Sequence, residues 1–481
     1  MSIQRTAAFP LLAGLALFSS AAAAEKYAVK AGTIVTRAGD DVTNGVIVIE
    51  GGKITAIGSA DDVQIPWDAE VLDVPDLVAF PGFVEAHSNR GMDRANENID
   101  VAAFLDIRDS IDPVNFYFED SLRWGVTTIN VQQGNNCVIG GQGMVVRPVA
   151  MTVEEMLVKP GAGVKMSASP KSGNSRATQA QALRRAFSDL RAYLEDLVEE
   201  KRQGFDYARR EALYQGRDLE GERAKGRAMG GGAWKVEGLE LVPRGEIDEK
   251  QEPLLDIVEG RVPVFFYCEA PMDVRIAVEV ARDNGFLANT VLVLGASCWK
   301  AADEVAAAGR PVVLDSNLVH RERDPVTGEE QETFVPGVFQ GKGVKFALQS
   351  ANQSSESLWF QAAMCVGYGM SREDALAAVT TSAAEILGLG DRVGSLEVGH
   401  DGDVVLFSGD PLSVTSFVEY VVLGGDLVYE RAKDVRAKHL LEGLEPPNTA
   451  PASAEGEAAG EAGEEGAEKK DEEDDTEGDQ R

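Results

Sequence analysis

Val262-Pro263-Val264-Phe265-Phe266-Tyr267, Thr290-Val291-Leu292-Val293-Leu294 and Pro311-Val312-Val313-Leu314 are brief apolar runs rich in β-branched residues, the pattern of strands buried on both faces of a parallel sheet. Helical segments separate them. Val274, Ala277, Val278 and Ala281 share one face before Gly285 stops the first, and Ala301 to Ala308 ends at Gly309, directly ahead of the next strand. Thr127 to Val131 and Val344 to Leu348 read as further strands, and Ser371 with Asp374 makes a capping box for a helix running to Leu387. Repeated strand-helix units predict an α/β fold, a closed (β/α)8 TIM barrel, with a doubly wound open sheet as the alternative.

Outside this core the pattern changes. Tyr27 to Val35, Gly45 to Glu50 and Lys53 to Ile57 are strand-like, with Glu50-Gly51-Gly52-Lys53 as a hairpin turn; Asp403 to Phe407 and Glu419 to Tyr429 are β-rich again. Neither set can bury a face alone, so the two ends of the chain are expected to pair as one composite β-sandwich domain, residues 25–78 with 392–440, flanking a barrel of 79–391. Residues 165–252 break the rhythm. Leu183, Phe187, Leu190, Leu194 and Leu197 form an apolar stripe, but Phe205 to Ala228 is highly charged and Gly230-Gly231-Gly232 ends it. This reads as a helical insertion, either a lid or partner surface or a solvated excursion.

Residues 1–24 have the form of a secretory signal: Arg5, an apolar run from Ala7 to Phe18, then Ala22 and Ala24 before Glu25. The expected mature protein is periplasmic or extracellular and has no membrane span. A net charge of -33 argues against nucleic acid as a partner. Part of that charge lies in an acidic tail, residues 441–481, read as disordered and solubilising. Cys137, Cys268, Cys298 and Cys365 are too scattered for a disulfide framework and read as buried thiols, although Cys268 and Cys298 fall at the ends of adjacent strands.

Pro81-Gly82-Phe83-Val84-Glu85-Ala86-His87-Ser88-Asn89 resembles the strand-one signature of the amidohydrolase superfamily, where Pro-Gly-Phe and an acid precede His-x-His. Gly125-Val126-Thr127-Thr128 resembles the family's second strand, and Ile139-Gly140-Gly141-Gln142-Gly143 a loop of its imidazolonepropionase-like branch. Ala383-Ala384-Glu385-Ile386-Leu387-Gly388-Leu389, leading into Gly394-Ser395-Leu396-Glu397-Val398-Gly399-His400-Asp401-Gly402-Asp403, is similar to the family's return into its small β domain. The resemblance implies the barrel-plus-sandwich fold, divalent metal at the C-terminal mouth of the barrel and hydrolysis of amide and related C–N bonds. It also implies the ligands: two His on strand one, a Lys carbamate or acid on strand four, one His each on strands five and six, and an Asp on strand eight. Such ligands fit the chemistry, because a metal must lower the pKa of its water and polarise a carbonyl.

This sequence departs from that set. Asn89 replaces the second His, Tyr267-Cys268-Glu269 stands at strand five, Leu294-Gly295-Ala296 at strand six, and Leu348-Gln349-Ser350-Ala351 at strand eight. Lys165 remains. The chain has 4 His, of which only His87 and His320 could reach the barrel mouth; His400 and His439 lie elsewhere. The expected site therefore has former ligand positions Asn89, Tyr267, Leu294 and Ser350, candidate catalytic groups His87, Glu269 and Lys165, and no metal; zinc or another divalent ion enters only if that reading fails. Glu269 would meet Lys300 or Arg90; these two, with Arg94 and Arg321, would line an anion site or lie on solvated loops, and Asp315 is a further candidate. A repaired metal site from His87, Cys268, Glu269 and Cys298 conflicts with strand alternation. Two readings follow: a degenerate relative that binds a small molecule, a second copy or an intact amidohydrolase, and a working hydrolase with an altered, metal-poor mechanism.

Overall fold

The computed structural model describes residues 26–215, 236, 238–239, 242–350, 357–436 and 438, without side chains for 205–215 and 357. The expected signal segment, Gly230-Gly231-Gly232, Ala351, His439 and the acidic tail lie outside the described residues.

Seven strands from the two ends of the chain form one sheet. They are β1 (Lys26–Ile34), β2 (Val42–Glu50), β3 (Lys53–Ser59), β4 (Glu70–Pro81), β15 (Val404–Phe407), β16 (Val418–Leu423) and β17 (Asp426–Glu430), in the order β17-β16-β15-β4-β1-β2-β3. β2 and β3 join through the expected turn, where Gly51 and Gly52 take φ of 58° and 79°, values that a side chain would resist. β15 joins the halves by pairing antiparallel with β4, Val404 opposite Pro81. One face of the sheet packs on itself: Val29, Ile47 and Ile49 meet Leu396, Leu406 and Val422. The sheet runs as far as Pro81, past the expected boundary at residue 78.

The second sheet has eight strands in the order β14-β11-β10-β9-β8-β7-β6-β5. These are β5 (Phe83–Ser88), β6 (Val126–Val131), β7 (Ile139–Val146), β8 (Leu157–Ser167), β9 (Val264–Cys268), β10 (Thr290–Leu294), β11 (Val312–Leu314) and β14 (Phe346–Leu348). A separate hairpin, β12 (Val319–Arg323) with β13 (Glu330–Phe334), interrupts the series. The helices are α1 (Phe116–Arg123), α2 (Val153–Met156), α3 (Arg176–Gln215), α4 (Glu252–Val258), α5 (Pro271–Asp283), α6 (Ala302–Ala308), α7 (Val335–Gly341), α8 (Ser357–Gly367), α9 (Arg372–Ala377) and α10 (Thr381–Ile386).

This is a TIM-barrel-type α/β fold with a separate sheet domain, and it differs from the expected regularity in three places. The glycine run taken for a loop is strand β7, antiparallel to β6 and β8. The links on either side of it hold no long crossover helix, and a parallel strand needs a connection of about a dozen residues or more. Lys165 lies within β8, so the excursion begins after that strand; its stripe is core, since Leu183, Leu190 and Leu194 are fully buried. The helix capped by Ser371 stops at Ala377 and restarts at Thr381. Between the two, Ala378 O accepts from Leu348 N at 3.1 Å and Val379 O from Val84 N at 2.8 Å. This backbone bridges the edge strands β14 and β5, which the ladder leaves unpaired, and so cannot continue the helix.

Strand alternation sorts the barrel's side chains. Phe265, Tyr267, Val291, Val293, Val313 and Ala347 pack inside against Ala383, Ala384 and Leu387, while Phe266, Cys268, Leu292, Leu294 and Leu314 join the helices in the outer layer.

Candidate functional site

β5 carries Glu85 and His87, its register shifting between Glu85 and Ser88, and both side chains reach the backbone or side chains just beyond β14. Glu85 accepts from Ser350 N at 3.0 and 3.1 Å. His87 Nδ1 lies 2.6 Å from Gln349 Oε1, and Lys165 Nζ lies 2.6 Å from His87 Nε2. An amide oxygen only accepts, so Nδ1 carries the imidazole proton, and Nε2 turns its lone pair to the lysine. The same amine lies 5.4 Å from the centre of the Tyr267 ring. Nearby, Tyr117 donates its hydroxyl to Ser88 Oγ at 2.9 Å.

The cluster is almost dry: Glu85 and Lys165 are 0% exposed and His87 3%, so the charged form of each is disfavoured. Burial pushes the Lys165 amine down to about 7 and the Glu85 carboxyl up to about 7. Burial, then the neighbouring Lys165, hold His87 well below the ordinary imidazole value. Burial and the nearby Glu85 raise the Tyr117 phenol.

The C-terminal end of β6 adds buried amides. Gln132 Nε2 donates to Asn130 Oδ1 at 3.0 Å, and Gln133 Oε1 accepts from Gly141 N at 2.6 Å. Gln132 Oε1, Gln133 Nε2 and Thr128 Oγ1 are buried with no hydrogen-bond partner. Buried polar atoms without partners are rare in native proteins, and a ligand is one thing that satisfies them.

The expected site residues are brought together in part. His87, Lys165, Tyr267 and Ser350 meet at one end of the barrel, and Asn89 is half-buried just past β5. Leu294 is a correction: it points into the outer layer with Cys268 and Cys298, because the inward positions of β10 are Val291 and Val293. Glu269 is on the exposed rim, its carboxyl raised by burial and by Asp315. It does not pair with Lys300, which binds Glu322 at 2.6 Å, and Arg90 stacks over the Tyr117 ring. Arg321 pairs with Glu332 in the exposed hairpin, Arg94 is exposed, and Asp315 caps Ser316 N, so no common charged lining forms. His320 lies beside Trp299, and His400 beside Ser395 in the terminal sheet. All four cysteines are buried free thiols. Glu85, Gln349, Gln132 and Gln133 were missed; the acid that precedes His87 in the strand-one motif was the signal for Glu85.

Both nitrogens of His87 are engaged by protein groups, and among the described residues no group of three or more His, Cys, Asp or Glu stands close enough to hold an ion. Nor is any helix among them long and apolar enough to cross a membrane.

A model of the amidohydrolase family matches residues 366–429. The chain is 34% identical over 77 residues to the amidohydrolase tasK of Hapsidospora irregularis, covering 16% of this chain and 8% of that protein. It is 40% identical over 74 residues to a probable imidazolonepropionase of Xenopus tropicalis, covering 14% of this chain and 17% of that one. The chain thus spans well under two thirds of these relatives. Similarity to the crystal structure of an amidohydrolase from Thermotoga maritima MSB8 is far broader, covering 84% of this chain and 100% of that one at 25% identity and a TM-score of 0.66.

Proposed function

Given that this chain belongs to the amidohydrolase superfamily, we propose that it uses the barrel mouth to hold an amide-bearing small molecule instead of driving metal-assisted cleavage of C–N bonds. The observation that carries this reading is the engagement of both His87 nitrogens, by Gln349 and Lys165, each at 2.6 Å. An imidazole so held has no lone pair left for an ion, and Asn89, Tyr267 and Ser350 supply weak or no ligands in place of the family's. Gln132 Oε1 and Gln133 Nε2 are each buried without a partner, an acceptor and a donor of the kind an amide ligand satisfies. A second copy, or an intact relative, is the macromolecular partner this reading expects.

The test is metal analysis of the purified protein beside calorimetry with a dipeptide and a cyclic amide. Expected are traces of metal and saturable binding, weakened about tenfold by Gln132→Ala. Stoichiometric zinc or manganese, lost together with amidase activity on chelation, overturns the proposal.

A second reading, an altered hydrolase, is favoured by the Lys165 amine, which burial brings to about 7, near the pH at which a general base works best. Lys165 would then take the proton of an attacking water, with His87 fixing the amine in place and Glu269 on the rim. Absence of turnover on amide, dipeptide, lactam and imidazolone substrates, or turnover untouched by His87→Ala and Glu269→Ala, removes it. Export is proposed from residues 1–24, and sequencing of the secreted protein is expected to begin near Glu25.

A further inference from the structure

A cavity of about 510 Å3 opens at the end of the barrel opposite His87, where β9, β10, β11 and β14 begin and α10 crosses beneath them. Val291 and Ile386 give it apolar wall, and Arg310, Lys342, Lys345 and Glu385 face it. Three cations to one carboxylate invert the balance of a chain with net charge -33. Lys345 pairs with Glu385, and Lys342 with Asp303 at 2.5 Å.

Arg310 differs. Its Nη1 donates to the carbonyl oxygens of Ala288 at 2.6 Å and Leu287 at 3.3 Å, its Nε is buried without a partner, and no acid forms an ion pair with it among the described residues. Burial alone lowers its pKa, with no neighbouring carboxylate to offset that. Carbonyl oxygens orient a guanidinium but leave its charge uncompensated.

We propose that this cavity binds a small organic anion, a carboxylate or phosphate monoester with a short apolar body, its charged end on Arg310 and Lys345 and its body against Val291 and Ile386. The volume is that of a small-molecule site. The planar guanidinium matches either anion, and the anion would compete with Glu385 for Lys345. Barrel enzymes of this architecture do their chemistry at the opposite face. The proposal is accordingly independent of what the mouth does.

Calorimetry on the full chain at low salt, with hexanoate and with phenyl phosphate as probes, separates the two anion classes. Saturable binding of at least one is expected, weakened about tenfold by Arg310→Gln and strengthened about threefold by Glu385→Gln, which frees Lys345. His87→Ala is expected to leave that binding unchanged. Because Arg310 also ties down the carbonyls of residues 287 and 288, Lys345→Gln, expected to weaken binding about fivefold, replaces Arg310→Gln if that variant fails to fold. No heat with either probe at about 20 mM, affinity indifferent to all the pocket variants, or binding lost with His87→Ala would each overturn the proposal.

Discussion

Glu85 and Lys165 sit in one dry cluster with opposite pH signatures. Glu85 has its carboxyl raised from 4.5 to about 7. In the interval between those values the folded protein holds a proton the unfolded chain has lost, so stability present at low pH is lost as pH rises through 7. Glu85→Gln keeps an acceptor for Ser350 N without the charge; denaturant melts are expected to show it about 2 kcal/mol more stable than wild type at pH 8, with the gap closing by pH 4. Lys165 works in the other direction. Its amine is lowered from 10.5 to about 7, so between those values the unfolded chain binds the extra proton and stability rises with pH. Lys165→Met is expected to remove up to about 1.4 kcal/mol per pH unit from the slope of stability against pH between 7.5 and 8.5, where a buried thiol interferes least. Equal slopes in wild type and variant would mean that the amine is solvated.

Among the elements, α3 and β7 show where reading the chain succeeds and fails. Leu183, Phe187, Leu190 and Leu194 recur at helical spacing, and the helix they announce packs into the core. Leu190→Ala is expected to lower stability by about 2–5 kcal/mol in the same melts, an effect a solvated excursion would not show. β7 was hidden by composition: Ile139-Gly140-Gly141-Gln142-Gly143 has the look of a turn, yet glycine is required there because neighbours crowd the strand. A Cβ on Gly143 would lie 2.2 Å from Gln132 Nε2, so Gly143→Ala is expected to cost about 1–3 kcal/mol and to disturb the buried Gln132 amide, measurable as weaker amide binding. The buried strands β9, β10 and β11 were legible because apolar β-branched runs have few other uses. Leu294 was misplaced because homology-like position does not fix which face a side chain takes, whereas the in-and-out alternation set by Phe265, Tyr267, Val291 and Val293 does. Gln349 escaped notice since a lone amide carries no spacing signal; only the backbone crossing that brings β14 beside β5 gives it a partner.

At the scale of the whole molecule, the terminal sheet and the barrel are tied by charge as well as by packing. Arg147, just past β7, binds Asp401 at 3.0 Å and Asp403 at 3.1 Å, and Asp401 also receives Lys53 at 2.5 Å and Arg392 at 2.8 Å. Asp401 is only 4% exposed, so its removal leaves a buried gap and takes a carboxylate from three half-exposed cations, of which Arg147 keeps Asp403. Asp401→Ala is expected to destabilise the protein by about 1–3 kcal/mol, with limited proteolysis cutting first within residues 388–403; a melt unchanged from wild type would show the network to be dispensable. The pairing of Pro81 with Val404 has a temporal consequence. A ribosome adding about 5–20 residues each second takes tens of seconds to travel from one partner to the other. Throughout that wait β4 offers a bare, hydrogen-bond-hungry margin to every other nascent chain, a hazard that ends only when β15, its last neighbour, is translated.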